Sequence, residues 1–172
     1  YTSGVSRSAT GTATIVDDGT GTKYPDQNPG TGPAAVTDVT NLDDDRALSV
    51  NSITVNEGSP YAVFNVTANV GQTLNLGLSD GTVNPAATSG TDYGTSLQYW
   101  NGSAWTNYTA GFTVPGSGLG STTLLVRMAI NPDSVFEKAE DFKLTATYTS
   151  GVSRSATGTA TIVDDGTGTK YP

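Results

Sequence analysis

From Ala47 onward, apolar residues recur at every second position in short runs, and the runs are separated by Gly, Pro, Asn and Asp. That period belongs to a half-buried strand, in which successive side chains face opposite ways. Leu48 and Val50, with Ile53 and Val55 after them, predict a first strand with a bulge or break in the middle. Residues 61–67 alternate with Ala62, Phe64 and Val66 on one face, and residues 73–78 put Leu74, Leu76 and Leu78 on one face. Residues 97–100 and 105–108 flank Asn101-Gly102, a hairpin signal. Residues 112–114 form a short strand stopped by Pro115-Gly116. Residues 122–130 form a longer one, with Leu124, Val126 and Met128 on one face and Leu125, Arg127 and Ala129 on the other. Residues 142–148 and 156–163 close the set. No segment carries a helical period. Short strands at regular spacing with turn residues between them predict an all-β, two-sheet antiparallel sandwich.

The chain also repeats itself. Residues 1–25, YTSGVSRSATGTATIVDDGTGTKYP, recur letter for letter as residues 148–172. An identity of this length marks a tandem array cut within a repeat; a duplication introduced by cloning is the alternative source. Residues 1–18 are then the C-terminal strand of a preceding repeat. Residues 19–46 are a linker, rich in Pro and Gly around GTGTKYPDQNPGTGP. Residues 47–166 are the complete sandwich repeat, and 167–172 begin the next linker. The expected neighbours are identical repeats. Residues 1–16 hold a strand without its domain, so we expect them to be disordered or to pair with another chain by edge pairing or strand exchange.

Charge narrows the function classes. Sixteen Asp and Glu face eight Lys and Arg, for a formal net charge of -8. This disfavours nucleic acid and anionic membrane surfaces, both of which call for Lys and Arg. There is no cysteine and no histidine, hence no disulfide framework, no thiolate zinc site, and none of the commonest general base. Serine without such a partner is not an activated nucleophile. Paired carboxylates could suggest glycoside hydrolysis, but a dense cluster that holds a cation keeps all its members ionised, where that chemistry needs one protonated acid. An enzyme is therefore not expected.

The carboxylates gather at predicted strand ends beside turn residues: Asn56-Glu57-Gly58, Gly90-Thr91-Asp92-Tyr93, Asp133 to Glu137, Glu140-Asp141-Phe142 and Ile162-Val163-Asp164-Asp165-Gly166. Loops collected at one end of a sandwich can supply the six to eight oxygens that Ca²⁺ prefers. The plainer reading of Glu57, Asp92 and Asp133 is solvated turn carboxylates. Asp43, Asp44 and Asp45 are either a solvated acidic run or further ligands at the joint, together with Asp17 and Asp18, the earlier copies of Asp164 and Asp165.

In order and spacing, the series V-x-E-G, G-T-D-Y, D-x-x-x-E-x-x-E-x-F and a strand ending in D-D, over about residues 48–166, resembles the Calx-β domain. That resemblance implies an immunoglobulin-like sandwich binding Ca²⁺ at one end through Glu57, Asp92, Asp133, Glu137, Glu140, Asp164 and Asp165. Gly166 stands where the family often has a third acidic residue, which implies fewer ions. The repeat context, with L-D-D-D-R before the domain and V-D-D-G-T-G after it, resembles the extender region of RTX-type bacterial adhesins. It implies an extracellular, cell-surface spacer that projects a distal binding domain, as in cell adhesion and biofilm formation. The alternative is a multivalent glycan- or protein-binding module using Tyr99, Trp100, Trp105 and Tyr108, against the simpler reading that these rings fill the core or pair across strands.

Overall fold

The structure is a computed structural model, and it describes residues 4, 7–22, 42–83, 85–118 and 120–172. The chain divides into two compact units, Tyr1–Asp44 and Asp45–Pro172.

The second unit is a two-sheet β-sandwich, and no helix occurs among the described residues. Its strands are β1 (Leu48–Val50), β2 (Ile53–Asn56), β3 (Tyr61–Asn69), β4 (Thr73–Asp80), β5 (Gln98–Trp100), β6 (Trp105–Asn107), β7 (Phe112–Thr113), β8 (Ser121–Ala129), β9 (Glu140–Tyr148) and β10 (Arg154–Val163). One sheet runs β1-β3-β8-β5-β6 and the other β2-β10-β9-β4-β7.

The expected break after Val50 is a change of sheet. β1 pairs antiparallel with β3, and β2 then lies beside β10 in the opposite sheet. Because β2 continues the direction of β1 and β10 runs the same way, this pairing is parallel. It departs from the antiparallel arrangement expected throughout. Close approach at the crossing requires Gly158: a Cβ there would stand 2.1 Å from the carbonyl oxygen of Asn51.

The alternating faces meet as the sequence pattern requires. Phe64, Val66, Leu74, Leu124, Val126, Met128, Phe142, Leu144 and Ala160 are buried between the sheets. Phe142 stacks on Tyr93 at 4.2 Å and meets Phe64 edge-on at 6.1 Å. Burying each such side chain is worth roughly 1.5–3 kcal/mol, and together they fix which strand ends lie side by side.

The two poles of the sandwich differ in chemistry. The chain enters at one pole through Arg46, which is only 3% exposed. Its guanidinium donates to the carbonyls of Ser150 (2.6 Å) and Val152 (2.8 Å) and to Gln72 Oε1 (3.2 Å), and lies 5.0 Å from the ring centroid of Tyr148. The Tyr148 hydroxyl accepts from Asn69 N and donates to the Ala47 carbonyl, each at 2.6 Å. Such bonds to a buried charge are stronger than neutral ones, so the entering chain is pinned to the β3–β4 and β9–β10 turns. β10 carries the chain to the opposite pole, about 33 Å away at ~3.3 Å per residue.

Residues 167–172, expected to begin a linker, instead lie on the sandwich. Asn56 N donates to the Thr169 carbonyl (3.0 Å), Thr169 N to that of Thr54 (3.1 Å), and Tyr171 N to Ser59 Oγ (2.8 Å). The tail thus covers the edge of β2 that β10 leaves open, satisfying backbone groups that would otherwise face solvent unpaired.

In the first unit, residues 7–16 are exposed and carry no strand. Thr20 N and the Thr20 hydroxyl donate to Asp18 Oδ1, the backbone bond at 3.0 Å, and Gly19 N donates to the Asp43 carbonyl at 3.0 Å. Thr167 bonds to Asp165 in the same way in the second copy. Two short-range bonds in two settings show that this Asx turn is encoded locally.

Candidate metal centre

The pole opposite Arg46 collects the β2–β3 turn, the β4–β5 connection, the β8–β9 connection and the end of β10. Each brings acidic residues. Carboxylate oxygens of Asp92, Glu137 and Glu140 lie within 4.8 Å of one another. With Glu57, Asp164, Asn131, Lys138 and Ile162 they line one small cavity, with about 10 Å³ free for a water-sized sphere, the scale of one water or ion. Five carboxylates and one lysine therefore share this cavity.

Each acidic residue has a local reason to be there. Glu57 sits in the two-residue turn after β2 and is nearly buried; its backbone N donates to the Val163 carbonyl, while its Oε1 accepts from Asp133 N at 2.9 Å. Asp92 lies in a turn that it closes itself, accepting from Thr88 N at 2.6 Å while its own N donates to the Thr88 carbonyl. Tyr93, next in sequence, is fully buried and bonds through its hydroxyl to Asp80 Oδ1 at 2.6 Å. Asn131 N donates to the Asp92 carbonyl at 3.0 Å, tying the β4–β5 and β8–β9 connections together. Glu137 N donates to Asp164 Oδ2 at 3.3 Å, which joins the β8–β9 connection to the end of β10.

Electrostatics follow from this crowding. The Glu140 carboxyl is pushed up to about 7. Burial is the largest cause, followed by the charges of Asp92 and Glu137, a hydrogen bond with Asp92 and the charge of Glu57. Glu137 is also raised, first by desolvation and then by the fields of Asp133, Asp92, Glu57 and Asp164. Hydrogen bonds from Tyr93 and Ser89 hold Asp80 below the ordinary carboxylate range, while burial, and then the contact with Asp80, raises the Tyr93 phenol. The cluster thus resists full ionisation, and a proton or a cation among the oxygens would relieve the repulsion.

The sequence-predicted residues divide into four groups. Glu57, Asp92, Glu137, Glu140 and Asp164 come together in the cavity. Asp133 stands at its rim: its backbone N reaches Glu57, its field reaches Glu137, and its Oδ1 accepts from Val135 N at 2.6 Å. Asp165 is not part of the lining. It is exposed, and its carboxylate is held below its ordinary value by the hydrogen bonds from Thr167. Asp17, Asp18, Asp43 and Asp44 belong to the first unit and Asp45 to the second; Asp17, Asp43 and Asp45 are exposed, Asp18 and Asp44 half-buried.

Two supporting acids were not among the predicted ligands. Asp141, 4% exposed, accepts from Val83 N (2.9 Å) and Thr82 N (3.3 Å), and its carbonyl accepts from Ala87 N (3.0 Å). It anchors the start of the loop that carries Asp92. Gly81 is required beside it, since a Cβ would stand 1.9 Å from the Asp141 carbonyl oxygen. The signal available was an acid directly before the core residue Phe142, where alternation makes Asp141 an outward position. Asp80 is the second, at the end of β4.

The aromatic hairpin is half-buried at Tyr99, Trp105 and Tyr108 and exposed at Trp100. Tyr99 and Tyr108 pack on Phe112, and the Tyr108 hydroxyl accepts from Leu76 N at 2.8 Å. Trp100 and Trp105 meet edge-to-face across the strands at 5.6 Å, and Arg127 lies between the rings of Tyr61 and Trp105, at 3.7 and 4.2 Å from their centroids. These rings support one another and do not form a shared flat platform.

No protein-family model and no curated protein sequence matches this chain. Among solved structures it is similar to the Escherichia coli chaperone DraB, at 8% identity and a TM-score of 0.36, over 70% of this chain and 56% of that one.

Proposed function

We propose that this chain is a calcium-stabilised spacer repeat, a Calx-β-like, immunoglobulin-like extender from a tandem array in a large RTX-type adhesin on a bacterial cell surface. The observation that carries the reading is the convergence of Glu57, Asp92, Glu137, Glu140 and Asp164 on one cavity from four separate connections. All the acidic donors are oxygens, the chemistry that suits a hard divalent cation. Bound there, Ca²⁺ neutralises charges that otherwise repel, and links the β2–β3, β4–β5 and β8–β9 connections to the end of β10.

Two further features support a spacer. The chain enters the sandwich at the Arg46 pole and leaves it at the acidic pole, so successive repeats follow end to end. The tail Thr167–Tyr171 is bonded to its own sandwich, which shortens the joint to the next repeat. Stiffness then arises because the ion fastens the pole from which the next joint departs.

Extracellular modules of this kind bind calcium with Kd on the order of 10⁻⁴–10⁻³ M. The test is a thermal melt of the protein in chelator and in 10 mM Ca²⁺. At about 100-fold excess over Kd the expected gain is ~2.7 kcal/mol, or roughly 10 °C. Equal midpoints in the two buffers would refute the reading.

A further inference from the structure

The same ten residues stand in this chain in two conditions. Residues 154–163, as β10, pair with β9 on one side and β2 on the other, with Ala160 fully buried and Ile162 5% exposed. Residues 7–16 have the identical sequence, RSATGTATIV. They carry no strand, and Ile15, the counterpart of Ile162, is 97% exposed. Two equivalent candidates exist for one interior slot of a sheet, between β2 and β9, and burying an isoleucine is favourable for either.

We infer that the N-terminal copy exchanges with β10 within the same chain, residues 7–16 entering between β9 and β2 while the resident copy is released. The copy brings with it every side chain the slot selects for. Gly11 replaces Gly158 beneath Asn51, Ala13 and Ile15 replace Ala160 and Ile162 in the core, and Asp17 replaces Asp164 at the acidic pole. Thr20–Pro25 duplicates the tail that covers β2.

Chain length permits the rearrangement. In the exchanged form the sequence leaves the acidic pole after Pro25 and re-enters at Asp45 at the other pole, about 33 Å away. The roughly 20 residues between can reach at most ~65 Å. Loop closure disfavours this form, because the resident copy is tethered through a turn of about five residues. By the three-halves power of loop length, the penalty is about sevenfold to tenfold. The exchanged form is thus a minor state in this chain. The same choice arises wherever two such repeats are joined, because the last strand of one is an equal substitute for the last strand of the next.

Disulfide trapping tests this on the full 172-residue chain, which has no cysteine of its own. Thr145 of β9 faces Thr157 of β10, with hydroxyl oxygens 2.9 Å apart, and Thr10 is the counterpart of Thr157. Under a mild oxidant, Thr10→Cys with Thr145→Cys forms a disulfide within one chain, about sevenfold to tenfold more slowly than Thr145→Cys with Thr157→Cys. Adding Gly158→Ala, which handicaps only the resident copy, raises the rate of the Thr10 pair several-fold. The inference is overturned if the Thr10 pair links only between chains, or if Gly158→Ala leaves its rate unchanged. It is also overturned if the pair reacts no faster than the out-of-register pair Thr14→Cys with Thr145→Cys.

Discussion

Removing calcium should invert the usual response of a protein to acid between pH 4.5 and 7. The perturbation is a pH change in chelator, and the group that governs the response is Glu140, whose carboxyl is raised from its ordinary 4.5 to about 7 in the fold. Below pH 4.5 it is protonated in both folded and unfolded chains. Between 4.5 and 7 the folded chain keeps a proton that the unfolded chain has lost, so stability falls as pH rises and the loss is complete above about 7. The unscreened size of this effect is about 3.4 kcal/mol. Glu140 is partly open to solvent, and screening reduces the effect to roughly 1–1.5 kcal/mol. Glu137 is shifted in the same direction and adds to it. Asp80 and Asp165 are shifted the opposite way, but their contributions are lost only as pH falls through their lowered values, below the ordinary 3.8, outside this window. Thermal melts in chelator at pH 5.0 and 7.5 should therefore show the higher midpoint at pH 5.0, by roughly 3–6 °C. In 10 mM Ca²⁺ the order should reverse, because the ion binds ionised carboxylates and protons displace it. A calcium-free midpoint that rises from pH 5.0 to 7.5 would refute the crowding argument.

Further substitutions separate the site from its scaffold. Glu140→Gln should raise the calcium-free midpoint at pH 7.5 by a few degrees and shrink the stabilisation by calcium at least several-fold, as read from melts in both buffers. Asp165→Asn should leave the calcium response within twofold of wild type, since this side chain serves the Thr167 turn and not the cavity. Arg46→Ala should cost about 1.5–3 kcal/mol in urea unfolding, with or without calcium, because the carbonyls of Ser150 and Val152 lose their charged donor. Gly81→Ala should weaken calcium binding through the Asp92 loop, because the added Cβ collides with the backbone of Asp141; circular dichroism would confirm that the sandwich persists.

How much of this was legible beforehand depended on range. Period-two alternation over residues 61–67, 73–78, 122–130 and 142–148 set the inward faces, because a slip of one residue would turn every apolar side chain outward. The cavity acids were legible as acids beside turns. Their convergence followed from placing strand ends together, which only the sandwich topology specifies. Three things were hidden. The parallel β2–β10 pair depends on a change of sheet at Asn51-Ser52, where the apolar pattern marks a break but not the sheet that the chain joins next. The docking of Thr167–Tyr171 on β2 depends on an unpaired edge, while its Gly-Thr-Gly-Thr-Lys composition reads as linker. Asp165 looked equivalent to Asp164, but successive residues at the end of a strand face opposite ways, and only Asp164 faces the cavity.

The central claim is that a divalent cation completes the acidic pole. Calorimetric titration of Ca²⁺ into the chelator-stripped protein at pH 7.5, with Asp92→Asn/Glu137→Gln as its partner, tests it most directly. The account predicts at least one ion per chain with Kd on the order of 10⁻⁴–10⁻³ M, reduced at least tenfold in affinity in the double variant. No binding by the folded protein at 10 mM Ca²⁺, or the same binding in both proteins, would contradict it.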